Sequence, residues 1–176
     1  GRTQAECDEI TAAVGAERLI QIAANPALTG FTAGKVLWVR KNQPDVWAKA
    51  KYILLPKDYV RYKLTGVIAQ EISDASGTNL LDVPGRCWSE EICKAIDLDM
   101  AMLPPLVESC EVAGTITEEA GKLTGLVAGT PVAGGGGDNM CGAVGTGVVG
   151  EGGCNISLGT SGTVFISSKR FGVDPN

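Results

Sequence analysis

The stretch that decides the fold is residues 133–150, "AGGGGDNMCGAVGTGVVG". Four consecutive glycines lead into Asp138 and Asn139, and glycines recur at 142, 145, 147 and 150. Half of the chain's 24 glycines lie between Gly134 and Gly162. Glycine has the most backbone freedom to lose, so it weakens the interior of any regular element. Its concentration around one carboxylate therefore calls for a site or a hinge. "TPVAGGGGD" reads as a strand entering a glycine loop, and "NMCGAVGTGVV" as a helix of small residues. Asp138 then stands where strand gives way to helix, beside the positive end of the helix dipole. There it can stay ionised and take a proton. The structural alternative is an ordinary N-cap aspartate.

Just downstream, "CNISLGTSGTVFISS" (154–168) reads as two strands joined by the turn "GTSG". Such a turn offers hydroxyls and free N–H groups to an anion, or is simply a hairpin turn. A base close to a phosphate cradle is what phosphoryl transfer to an alcohol requires. The chain has no histidine, which removes the usual Ser-His and Cys-His pairs. The general base must come from Asp or Glu, or from Lys or Tyr.

Working outward, residues 2–24 read as helix, broken near Gly15, with Ala5, Ile10, Ala13 and Val14 on the apolar face. Residues 32–42 form a helix with Val36, Leu37 and Val39 inward, and Pro44 opens another. "KYILLP" (51–56) and "VIAQEIS" (67–73) read as strands flanking a helix that Gly66 closes. "SDASGT" reads as a polar turn, and "MLPPLV" as an extended connector. Ser89 and Thr117 are N-caps of the helices that follow them. The pattern is mixed α/β, with no repeat and no low-complexity linker.

The chain's 176 residues are 44% hydrophobic and 20% charged, with net charge −5. That composition is globular and carries no basic footprint for nucleic acid or anionic membrane. The six cysteines form no CxxC pair, which argues against structural zinc and reads as buried thiols in a reducing cytoplasm. Neither "GKLTG" (121–125) nor "GFTAGKV" (30–36) has P-loop spacing.

These motifs together resemble the FGGY carbohydrate kinases of the actin-like ATPase superfamily. "GFTAGKVLWVRKN" (30–42) is similar to the family's N-terminal signature, with Lys35 and Trp38 at its K-x-x-W spacing. "LLPKDYVRYKLTG" (54–66) and "SDASGTNLLDV" (73–83) look like segments of the members acting on xylulose rather than glycerol. Residues 88–117 are similar to the helix and connector that lead to the catalytic strand. "GGGGDNMCGAVGTG" resembles the segment of the catalytic aspartate, and "SLGTSG" the ATP-phosphate turn.

The resemblance implies an α/β fold: part of an actin-like (ribonuclease H-like) domain, plus the first hairpin of a second domain. Residues 1–150 would be the C-terminal part of the N-terminal, sugar-binding domain, and 151–176 the start of the nucleotide-binding domain. It implies ATP-dependent phosphorylation of a sugar hydroxyl with Mg²⁺, D-xylulose to D-xylulose 5-phosphate in the first instance. Asp138 would be the base, Asn139 would orient the sugar, and Gly159, Thr160 and Ser161 would hold phosphates of ATP; no metal ligand falls in the chain. Arg2 is either near the sugar or a surface arginine. Ribulose, gluconate or glycerol as substrate, and a non-catalytic actin-like module, are the alternatives. The resemblance implies a cytoplasmic enzyme and leaves a homodimer open. Family members are about three times longer, so the chain is expected to be an inactive, poorly stable fragment on its own.

Overall fold

The computed structural model describes residues 1–159 and 162–173. The first half is helical. Helices α1 (Gln4–Val14), α2 (Ala16–Ala23) and α3 (Thr32–Asn42) are followed by the short α4 (Pro44–Trp47) and by α5 (Pro56–Thr65). Gly15 separates α1 from α2 at φ 91°, in the region where a side chain is strained. Gly66 closes α5 in the left-handed conformation, at φ 73°.

Strand β1 (Gln70–Glu71) leads into α6 (Ile72–Ala75) and a 3₁₀ turn at Ser76–Thr78. Then come β2 (Leu81–Asp82), β3 (Cys87–Trp88), α7 (Glu90–Ala95) and a 3₁₀ turn at Met100–Met102. Strands β4 (Leu106–Val107) and β5 (Val112–Thr115), helix α8 (Glu118–Thr124), strand β6 (Pro131–Ala133), helix α9 (Asp138–Gly145), and strands β7 (Cys154–Leu158) and β8 (Gly162–Ile166) complete the described residues. The strands pair two by two: β1 with β4 in parallel, and β2–β3, β5–β6 and β7–β8 antiparallel.

The core lies where α1, α2, α3 and α7 meet. Ile10, Leu19, Leu37, Leu80 and Ile92 are essentially sealed from solvent there, with Val36, Ile96, Leu98 and Leu103 around them. Each such side chain contributes about 1.5–3 kcal/mol by leaving water. Ser89 and Thr117 cap α7 and α8 as the sequence predicts, their hydroxyls accepting from Ile92 N and Ala120 N.

Four expectations are corrected. Ala5 and Ala13 are exposed, and α1 buries Glu6 and Cys7 beside Ile10 instead. This helix has little amphipathic contrast for the pattern to read. "KYILLP" is not a strand: Pro56 is the first residue of α5, and within the apolar run Ile53 N–H donates to Met102 O without a ladder forming. "VIAQEIS" is a strand only at Gln70–Glu71, because the Glu71 carboxylate accepts from Ser73 N and Asp74 N and turns the chain into α6. Of the six free cysteines, Cys7 and Cys93 are buried and the other four are exposed. Burial pushes the Cys93 thiol up to about 11, which leaves it inert. Among the described residues no helix is long and apolar enough to cross a membrane.

Candidate active site

The glycine loop takes its path from contacts on both sides. Gly134 is wedged against the turn after β4: a Cβ there would lie 2.3 Å from the carbonyl oxygen of Glu108. Its N–H donates to Glu111 O at 2.8 Å, and Gly135 N–H to Ser109 O at 3.0 Å. Gly135 has φ +93°, which a side chain rarely adopts. These two glycines are thus needed by the backbone itself, whatever ligand the loop admits.

Asp138 is not the N-cap of α9. Gly137 holds that place, at φ −61° and ψ 153°, and Asp138 is the first helical residue. Its Oδ1 accepts the N–H of Asn139 at 2.7 Å, and its side chain is exposed. The carboxylate opens into a cleft of about 340 Å³ lined by Asn25, Phe31, Ser73, Asp74, Gly137 and Asn139, among others. A freely exposed carboxylate on the first turn of a helix, facing a cleft with several polar side chains along it, is free to receive a proton from a hydroxyl.

Asn139 lies in the same cleft, and its Oδ1 accepts from Thr163 Oγ1 at 3.2 Å. That bond ties α9 to β8, the strand that follows the "GTSG" turn. A second tie runs from Asn155 Nδ2 to Thr146 Oγ1 at 2.7 Å. The sequence treats the aspartate segment and the hairpin as separate motifs, and tertiary structure brings them side by side. Leu158 pairs with Gly162 across β7 and β8. Gly159 is an exposed bend; Thr160 and Ser161 lie outside the described residues.

A charged cluster supports the loop from behind, and sequence reading missed it. Arg61 on α5 donates from Nη1 to Gly134 O at 2.6 Å and from Nη2 to Ala69 O at 2.5 Å. Its Nη2 is also 2.9 Å from Asp58 Oδ1. Arg61 is 4% exposed and Asp58 fully buried. Lys57 Nζ lies 2.9 Å from Asp58, 3.6 Å from Glu71 and 3.5 Å from Asp74. Breaking one member of so buried a set typically costs about 3–5 kcal/mol.

Burial would raise the Glu71 carboxyl. Hydrogen bonds from Ser109 Oγ, from Ser73 N and Oγ and from Asp74 N outweigh it and hold Glu71 below its ordinary value. Asp74 is pushed the other way, by burial against the attraction of Lys57. The available signals were the i,i+3 pair Asp58–Arg61 in "KDYVR" and the acid-Ser-Asp cap in "EISD"; neither says what it touches.

Elsewhere, Arg2 stacks over Trp38, its Cζ 5.4 Å from the ring centroid, and both line a separate pocket with Lys35. No group of three or more His, Cys, Asp or Glu among the described residues is arranged to hold a metal ion.

Residues 1–145 match the model of the N-terminal domain of the FGGY family of carbohydrate kinases. The chain belongs to that family. The FGGY chain is 43% identical to the xylulose kinase of Bacillus subtilis over 164 residues, covering 93% of this chain and 33% of that protein. It is 43% identical to the xylulose kinase of Escherichia coli over 171 residues, covering 97% and 35%. Its structure superposes on that of a xyloylose kinase from Brucella ovis with TM-score 0.88 and 38% identity, covering 97% and 35%. The chain thus spans about a third of the length of these relatives. The fold is that of FGGY sugar kinases, the actin-like α/β architecture expected from the sequence.

Proposed function

We propose that the chain carries the sugar-binding and proton-accepting part of a kinase that phosphorylates a sugar hydroxyl with ATP. D-xylulose is the first-choice substrate and D-xylulose 5-phosphate the product. The observation that carries this reading is Asp138, an exposed carboxylate on the first turn of α9 that opens into a cleft it shares with Asn25, Ser73, Asp74 and Asn139. The xylulose kinases among the relatives support the substrate. Residues 1–150 are assigned to the sugar-binding domain and 151–176 to the start of the nucleotide-binding domain.

In this reading the sugar lies in the cleft, and its reacting hydroxyl faces Asp138. The hydroxyl oxygen forms its bond to the γ-phosphorus of ATP as the bond from that phosphorus to the departing ADP oxygen breaks. The hydroxyl proton passes to the Asp138 carboxylate. Asn139, a neutral donor and acceptor beside the base, orients the sugar. Gly159, Thr160 and Ser161 hold phosphate oxygens through N–H and hydroxyl groups. Positioning and charge neutralisation carry most of such a transfer. Magnesium, when bound with ATP, neutralises phosphate charge.

Asp138→Ala in the full-length protein tests the assignment. Loss of the base lowers phosphorylation by on the order of 10²–10⁴-fold, with the thermal melt unchanged because the side chain is exposed. Retained turnover refutes it. A coupled assay across xylulose, ribulose, gluconate and glycerol identifies the substrate, and a larger kcat/KM for any other member of the panel overturns D-xylulose.

A further inference from the structure

Asp138 takes its position from the loop before it, and that loop is held at both ends by side chains outside the motif. At the leading end, Arg61 Nη1 donates to Gly134 O at 2.6 Å. At the trailing end, Gly137 N–H donates to Ser73 Oγ at 3.0 Å, one residue before Asp138. Ser73 Oγ in turn donates to Glu71 Oε2 at 2.8 Å, and the other Glu71 oxygen accepts from Ser109 Oγ at 2.7 Å. Ser109 O receives Gly135 N–H at 3.0 Å.

The buried Glu71 carboxylate is therefore the hub of a closed circuit. It fixes the Ser73 hydroxyl so that its oxygen is available to Gly137. Through Ser109 it steadies the middle of the same loop. Asp58 and Lys57 lock the orientation of Arg61 and Glu71 from α5.

We propose that Ser73, oriented by Glu71, and Arg61 are positioning residues of the phosphoryl-transfer site, which set where the Asp138 carboxylate stands. This rests on the reading of Asp138 as the base. A helix that begins directly after a four-glycine loop gets no rigid anchor from the loop itself, and misplacing a catalytic group by about 1 Å can cost on the order of 10²-fold in rate. A donor–acceptor bond at each end of a four-glycine loop supplies the missing rigidity.

The rival explanations are that Ser73, which also lines the cleft, contacts the sugar directly, or that it serves stability alone. The experiment is a double-mutant cycle in the full-length protein with Ser73→Ala, Asp138→Ala and the combination. Kinetics are measured with D-xylulose and ATP, and each variant is melted. Ser73→Ala keeps Arg61 and its ion pairs, so it avoids the folding risk of Arg61 variants. The expected result is a kcat lower by roughly 10–100-fold, KM values for sugar and ATP near the parent's, and no further loss in the Asp138→Ala background.

A raised KM for sugar with kcat unchanged makes Ser73 a substrate contact and overturns the proposal. An unchanged kcat with a lower melting temperature makes it structural only and also overturns it. Equal losses from Ser73→Ala in both backgrounds show that it does not act through Asp138. Turnover retained by Asp138→Ala removes the base assignment and the proposal together. Its loss there with full kcat in Ser73→Ala removes only the proposal.

Discussion

Adding one methyl group at two glycines of the same segment should change stability in opposite directions. At Gly134 the new Cβ would lie 2.3 Å from Glu108 O. Real Cβ atoms stay beyond 3.0 Å, so loop or turn must retreat by at least about 0.7 Å, in a place with little room to give. Glu108 O is fixed by Glu111 N–H at 3.1 Å, and Gly134 is held by Arg61 on one side and Glu111 on the other. Overpacking of this kind costs about 1–3 kcal/mol. For a chain of this size each kcal/mol lowers the midpoint by about 2–4 °C, so Gly134→Ala should melt roughly 2–12 °C lower. At Gly142, inside α9, nothing lies within 4 Å of the new Cβ and φ is helical. Gly142→Ala there gains about 0.5–1 kcal/mol from the smaller entropy lost on forming helix. Thermal and urea melts of the two variants of this chain, followed by circular dichroism, compare the signs directly. A Gly134→Ala variant as stable as the parent, or a Gly142→Ala variant that falls as far, would refute the close packing of the loop on Glu108.

Further outcomes are expected. Thr160→Val should raise the KM for ATP more than that for sugar, as seen in initial rates with each substrate varied; equal constants at unchanged kcat would argue for a plain hairpin turn. Glu71 is held below its ordinary value, so its ionised form stabilises the fold above the carboxylate range, and that contribution is lost as pH falls through its folded value. The stability gap between parent and Glu71→Gln, from urea titrations at stepped pH, should therefore be largest near neutrality and close on acidification; a constant gap contradicts the hydrogen-bonded carboxylate. Asp74 is raised, so Asp74→Asn should gain on the parent as pH rises through the same range, by the same titrations. On the hairpin, Ile156, Leu158, Val164 and Ile166 share one exposed face, Leu158 at 86% exposure. Ile156→Lys should reduce self-association of this chain in sedimentation, and equal association would place the contact elsewhere.

The sequence by itself determined what depends on neighbours a few residues away. Gly15 breaks the first helix, Gly66 closes α5, and Ser89 and Thr117 cap α7 and α8. Asp138 falls at a strand–loop–helix junction, and "CNISL" pairs with "GTVFI". Each follows from a backbone angle, a cap or an alternation that a short window contains. The motif order was likewise enough to place the chain in its family. Only tertiary structure decided that "KYILLP" forms no ladder, since an apolar run becomes a strand only where a partner offers hydrogen-bonding groups in register. Only tertiary structure placed Thr163 against Asn139 and moved the N-cap from Asp138 to Gly137. The support of the loop was the least legible part. Gly134 is held by Arg61, 73 residues earlier, and Gly137 by Ser73, 64 residues earlier. A guanidinium or a hydroxyl carries no mark of its distant partner. Its direction is set by the packing of α5, β1 and α6, and only the folded chain brings the glycine backbone within reach of the groups that hold it.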